Sequence, residues 1–178
     1  MLSRLDPMKD HTVMFSALKM LIDRGLSVRL LVFGKGDTHW ESHLVQKASD
    51  LKLEKFISWC GWSDDPWNAL AQMDILVSSS KGEGMSNTIL EGMLAGRSIV
   101  ATDVGDTRRL LRVEADRCGW VVPPSDPSQL ASCLEEVLAD IEQSKQIARH
   151  AQEIAELNYG VNRMIDEYEK LYRKFLNV

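Results

Sequence analysis

The chain has 178 residues, 44% of them hydrophobic and 26% charged, which suits a compact globular fold with a sizeable core. Its net charge of −5 argues against a general nucleic-acid binder. No segment approaches the roughly 20 apolar residues of a membrane span, and no charged-then-apolar leader opens the sequence. The cysteines, Cys60, Cys118 and Cys133, have neither metal-site nor redox spacing, so reduced thiols and a cytoplasmic location are expected.

Taken in order, the pattern predicts an extended stub at Met1 to Leu5, a helix near Thr12 to Arg24, a strand Val28 to Phe33 and a helix near Trp40 to Leu51. A strand Lys55 to Trp59, a short helix at Trp67 to Gln72 and a strand Asp74 to Ser79 come next. Gly82 and Gly84 then loosen the backbone before a helix with apolar Ile89, Leu90, Met93 and Leu94. Ser86 or Asn87 can cap it. A strand Ser98 to Ala101, a helix Thr107 to Arg112, a strand Trp120 to Val122 and a helix Pro127 to Asp140 complete the alternation.

Such alternation implies an α/β fold: a Rossmann-like, doubly wound parallel sheet of about six strands with helices on both faces. Sheets of this class bind ligands at the carboxyl ends of their strands. Residues 142–178 carry only helical pattern, broken near Asn158 to Gly160, and read as a C-terminal helical extension. Without repeats or linkers, a single domain over 1–178 is expected.

Residues 1–35 hold Arg4, Lys9, Lys19, Arg24, Arg29 and Lys35 against three aspartates, a locally basic end on an acidic chain that fits a small anionic ligand. Lys19, Arg24 and Arg29 read as solvated helix and turn residues. Arg4 and Lys9 fall instead at the expected carboxyl edge of the sheet.

The most informative segment runs from Glu83 to Glu91, two carboxylates separated by seven residues. A helix start there offers unpaired backbone N–H groups and a positive dipole end, suited to a phosphate or to sugar oxygens. Glu83 sits just outside that end. Glu91 lies in the second turn and leans back toward it. An ionised carboxylate accepts hydrogen bonds on two oxygens, which matches a pair of neighbouring hydroxyls.

Gly34 and Gly36 close the second strand and invite a dinucleotide-binding reading, but that fingerprint needs a third glycine where His39 stands. An NAD-dependent dehydrogenase is therefore disfavoured. Trp59, Gly61 and Trp62 follow the third strand, where a tryptophan can wall a nucleobase or simply pack. Asp64, Asp65 and Pro66 read as a helix start.

Four stretches in this order, Ser3 to His11, Leu30 to Gly36, Glu83 to Gly96 and Ile99 to Gly105, carry a likeness spanning the chain. It resembles the C-terminal, nucleotide-sugar-binding half of the retaining glycosyltransferases of family 4, which have the GT-B fold of two facing Rossmann-like domains. The resemblance implies sugar transfer from a nucleoside-diphosphate sugar with retention, in bacterial surface polysaccharide biosynthesis. It also implies that an acceptor-binding domain, and more of the first strand, stand before the position of Arg4.

By that resemblance Arg4 and Lys9 neutralise the diphosphate as it departs, and Glu83 holds hydroxyls of the donor sugar, so these three are the catalytic candidates. Gly34, Gly36, Trp59, Gly61, Gly84, Met85, Ser86, Asn87, Thr88 and Glu91 are the nucleotide-sugar-binding candidates, with Glu91 on the ribose diol. No Asp-x-Asp pair occurs, so the donor is expected to bind without a metal or other cofactor. The full-length enzyme would be cytoplasmic and able to sit at a membrane surface. Two departures stand out: Ser3 replaces the glycine usual before the arginine, and Asp106, Thr107, Arg108 and Arg109 follow Gly105 where many members have a glycine and then a glutamate.

Two other readings fit the same residues, a stand-alone nucleotide-binding module and half of a nucleotide-sugar epimerase. The last helix puts Val161, Met164, Ile165, Tyr168, Leu171, Tyr172 and Phe175 on one face. That stripe predicts either docking on this domain or self-association through 161–175, with self-association favoured.

Overall fold

The computed structural model describes residues 1–113 and 116–176. Five parallel strands form two ladders: β1 (Leu30–Phe33) pairs with β2 (Ile57–Gly61), and β4 (Ser98–Thr102) lies between β3 (Ile75–Ser78) and β7 (Trp120–Val122). A short antiparallel hairpin, β5 (Arg112–Val113) with β6 (Asp116–Arg117), precedes β7. The sixth expected strand, Met1 to Leu5, is present only as two parallel bridges, Leu2 to Phe33 and Leu5 to Gly36. It stops there because Asp6 turns the chain, its carboxylate accepting from Met8 N–H at 2.8 Å to cap a 3-10 turn over Pro7–Lys9.

Helices cover both faces. α1 (His11–Asp23) packs against α6 (Pro127–Ala139) over one core, in which Phe15, Leu18, Leu44, Val100 and Leu130 are buried. α2 (Thr38–Asp50) supplies Leu44 and Ala48 to this face. α4 (Asn87–Leu94), α5 (Thr107–Leu111) and α7 (Ile141–Tyr159), with α3 (Pro66–Ala71), bury a second core around Leu76, Ile89, Met93, Ile99 and Leu110. This is the doubly wound α/β arrangement that the alternation implied. All five residues of β4 are buried, as a strand covered on both faces requires.

Local chemistry sets the helix starts. Asp37, Asp65, Ser86, Asp126 and Asp140 each accept backbone N–H groups as side-chain caps, and Pro66 and Pro127 open their helices. The last helix, α8 (Val161–Leu176), is different: none of its residues is buried, and its apolar face stands open. Of the two outcomes expected for that stripe, docking on the rest of the chain does not occur.

Candidate functional site

The carboxyl ends of β1 and β3 and the amino end of α4 converge with the first turn of the chain. Backbone there is held very close. Gly34 has φ of 154°, and a Cβ on it would lie 1.8 Å from the Ser3 carbonyl oxygen, so any side chain would push the Met1 to Leu5 segment off β1. Gly105, with φ of 53°, does the same for the other wall. A Cβ there would meet the carbonyl oxygens of Gly84 and Glu83 at 2.2 and 2.4 Å, and the Asp106 N–H donates to Gly84 O at 3.0 Å.

Lys9 is anchored before its side chain acts. Ser79, at the end of β3, donates its hydroxyl to the carbonyls of Lys9 and Asp10, both at 3.0 Å, and Lys81 N–H donates to Met8 O at 2.8 Å. The Lys9 ammonium then reaches Glu83 Oε1 at 2.5 Å, with the side chains only 21% and 14% exposed. Ser80 donates to the same Glu83 oxygen at 2.7 Å, and Thr102 fixes the Ser80 carbonyl at 2.6 Å. The carboxylate is thus held in one orientation by two donors.

Asp10 is buried in the left-handed region at φ of 44°, and its Oδ1 accepts from Thr12. Lys81 Nζ lies 3.3 Å from Asp10 Oδ2, an ion contact without hydrogen-bond alignment. His11 is also buried, its Nε2 3.3 Å from the Ser3 hydroxyl, and burial drives its pKa down to about 4, so the ring is neutral near pH 7. Ser3, which departs from the family pattern, therefore has a partner.

Arg4, Lys9, Gly34, Thr88 and Glu91 line one open cavity of about 380 Å³ together with Trp62, Ser63 and Asp64. That size falls within the ~300–1,000 Å³ of small-molecule sites. A narrow adjoining cleft joins Lys9, Glu83 and Thr88 to Ser79 and Ser80. Burial raises the Glu91 pKa above the usual carboxylate value. At the head of α4, Ser86 accepts from Ile89 N–H at 3.4 Å, and the first turn of the helix points at the cavity where Thr88 lines it.

The other named residues lie outside both linings. Gly36 packs on Leu5 and donates its N–H to Glu41 at 2.8 Å. Gly61, at φ of 72°, accepts from Gly34 N–H at 2.7 Å and so steadies the end of β1. Trp59 meets Phe15 edge to face at 5.9 Å, and Trp62 is the tryptophan beside the cavity, its indole N–H on Asp64 at 2.5 Å. Gly84 has open space around its Cα, Met85 is exposed, Ser86 caps α4 and Asn87 opens it. Arg108, in the divergent segment, is paired with Asp103.

Sequence reasoning gave Ser80 and Thr102 no role at the site and read Asp64 only as part of a helix start. The serines that end β3 in place of further apolar residues were the available signal. Among the described residues no cluster of three or more His, Cys, Asp or Glu could hold a metal ion. No helix there is long and apolar enough to cross a membrane.

Residues 1–140 match a family model described as "Glycosyl transferases group 1". The chain is 30% identical over 160 residues to a phosphatidyl-myo-inositol mannosyltransferase of Mycolicibacterium smegmatis, spanning 88% of this chain and 40% of that protein. It is 27% identical over 136 residues to the lipopolysaccharide core biosynthesis glycosyltransferase LpsE of Rhizobium meliloti, spanning 76% of this chain and 39% of LpsE. The chain thus corresponds to about two fifths of each of these relatives. The crystal structure of Anabaena Alr3699/HepE in complex with UDP superposes with a TM-score of 0.89 at 24% identity, over 97% of this chain and 47% of that one. The C-terminal domain of a group 1 glycosyl transferase, LpcC of Francisella tularensis, superposes with a TM-score of 0.75 at 21% identity, over 89% and 83%.

Proposed function

The chain belongs to the group 1 glycosyl transferases, and on that premise we propose that it binds the nucleoside-diphosphate sugar donor of a retaining glycosyltransferase. The acceptor half of that enzyme would come from a separate domain. One observation carries the reading: two cations, a glycine strand end, a helix amino terminus and the half-buried Glu91 carboxylate share a cavity of about 380 Å³. In this reading residues 1–178 act as one donor-binding domain.

The parts divide by chemistry. Arg4, Lys9 and the head of α4 take the diphosphate and stabilise the charge that develops on it as it leaves, which supplies leaving-group assistance without a metal. Glu91 accepts from the ribose diol. Glu83, held by Lys9 and Ser80, accepts from donor-sugar hydroxyls in the adjoining cleft. Thr88 sits between the two spaces and can touch phosphate or sugar. Trp62, which lines the cavity, meets the base in this reading, rather than Trp59, which packs on Phe15. Attack on the same face of the sugar, with the departing diphosphate accepting the proton, requires no protein nucleophile in this half.

The relatives act in lipid-mannoside and lipopolysaccharide synthesis by their names, which supports surface polysaccharide or glycolipid synthesis for the whole enzyme. Thermal-shift and calorimetric screening against UDP, GDP, ADP and CDP sugars tests the reading, since a ligand bound only by the folded state raises its melting temperature. If no nucleoside diphosphate or nucleotide sugar binds, the proposal fails.

A further inference from the structure

Leu2, Ser3, Lys9 and Thr88 line both the open cavity and the narrow cleft that adjoins it. In the proposed donor site the cavity takes the nucleotide and the cleft takes the sugar, so the junction between them belongs to the phosphate that carries the sugar. Lys9 and Thr88 already have roles there. Ser3 has none, and it stands where the resembling family usually has a glycine. Its backbone is fixed: Ser3 N–H donates to Phe33 O and Leu5 N–H to Lys35 O, both at 3.0 Å. The half-buried Ser3 hydroxyl has one hydrogen-bond partner among the described residues, His11 Nε2 at 3.3 Å.

His11 decides which way the Ser3 hydroxyl proton points. The ring is enclosed in the first turn of α1, and burial keeps it neutral near pH 7, so one ring nitrogen carries a proton and the other is bare. Nδ1 is buried and has no partner among the described residues. Folded chains leave a buried N–H unpaired more rarely than a buried acceptor, which puts the bare nitrogen at Nδ1 and the proton on Nε2. Nε2–H therefore donates to Ser3 Oγ. That bond uses a lone pair of the hydroxyl and leaves its O–H free to donate toward the junction.

We propose, on the donor-binding reading, that Ser3 is a phosphate ligand: its hydroxyl donates a hydrogen bond to an oxygen of the sugar-bearing phosphate, beside the Lys9 ammonium, and His11 is the positioning residue that aims it. The glycine usual at this place offers only backbone, so the contact is a feature of this chain's own side chains. As the sugar departs, negative charge grows on that phosphate. A donor already oriented by a buried ring stabilises the charge without reorganising at the moment of reaction. The nucleoside and the phosphate next to it lie on the cavity side of the junction and do not meet the Ser3 hydroxyl.

The test titrates the full chain by calorimetry with UDP, GDP, ADP and CDP and with the matching monophosphates. For the diphosphate that binds, Ser3→Ala should weaken affinity about tenfold, while its monophosphate changes by less than about twofold. His11→Leu should weaken the diphosphate by at least about threefold, and His11→Gln, whose side-chain amide can place an N–H near the Nε2 position, should stay within about twofold of the natural chain. A long-range 1H–15N correlation spectrum of the intact chain reads the His11 tautomer with no substitution at all, and the proton should be on Nε2. If the natural chain binds none of the diphosphates, the donor-binding reading falls and this proposal falls with it. If a diphosphate binds but Ser3→Ala leaves it unchanged or weakens the monophosphate equally, if His11→Gln loses as much as His11→Leu, or if the proton is on Nδ1, the roles of Ser3 and His11 are overturned while the donor site stands.

Discussion

Replacing Lys9 by Ala isolates the phosphate role assigned to the basic start of the chain. A charge-assisted hydrogen bond from an ammonium to a phosphate contributes about 1.5–3 kcal/mol. In the free protein, however, Lys9 is already paired with Glu83, so part of that gain is offset when the ligand draws it away. A partly exposed pair is worth at most about 1 kcal/mol. The net loss on Lys9→Ala is then roughly 1–2 kcal/mol, about 5- to 30-fold in diphosphate affinity. Adding Arg4→Ala, an exposed and solvent-screened cation, brings the total to about 30- to 150-fold. The nucleoside alone touches neither cation and should change by less than about twofold. Glu83→Gln separates the pair from the ligand contact, because it frees Lys9. Plain diphosphate should then bind up to about fivefold tighter, while the nucleotide sugar, losing its hydroxyl acceptor, binds more weakly. Calorimetry of nucleoside, diphosphate and nucleotide sugar against the three variants reads all of this. Equal losses for nucleoside and diphosphate, or a diphosphate loss in Glu83→Gln matching that of Lys9→Ala, would refute the reasoning.

Glu91→Gln should weaken a ribonucleotide more than its 2′-deoxy analogue. Because burial raises the Glu91 pKa, the native state takes up a proton there before the unfolded chain does, so this carboxylate costs stability above its unfolded pKa. Urea melts should accordingly show Glu91→Gln stabilised near pH 7 and no advantage below pH ~4. Gly105→Ala combines a left-handed backbone with contacts at 2.2 and 2.4 Å and should lower stability by at least about 2 kcal/mol. Gly84→Ala, with open space around it, should stay within ~0.5 kcal/mol, both variants being read by urea melts. The depressed His11 pKa, about 4, means that stability is fully present above pH ~6.5 and falls by on the order of 3 kcal/mol as pH drops toward 4. A His11→Gln variant with an equally steep profile would exclude this histidine as the cause. The open face of α8 predicts self-association: light scattering should give a dimer or larger species for the intact chain and a monomer for one ending at Asn158, and a monomer in both cases would contradict it.

The sequence by itself determined most of the elements and their order, though not the Arg112–Val113 and Asp116–Arg117 hairpin, whose strands are too short to carry a periodic pattern. Strand Trp120–Val122 and helices such as Pro127–Ala139 follow from short-range chemistry: apolar periodicity, proline at the first turn and an aspartate or serine to cap. The Glu83 to Glu91 segment was legible for the same reason, since a glycine loop and a cap fix where a following helix starts. Which of the named residues share a space was decided only by the fold. Lys9 and Glu83 meet across 74 positions because the Ser79 hydroxyl ties the first turn to the end of β3, and no local pattern encodes that bond. The same holds for the tryptophans: Trp59 and Trp62 look equivalent in the sequence, yet Trp59 lies within β2 and packs on Phe15, while Trp62 stands past the left-handed Gly61 that ends the strand, beside the cavity. The exposure of α8 is also a tertiary fact. An amphipathic stripe states only that burial is favourable, and whether a partner is present depends on what the rest of the fold brings alongside it.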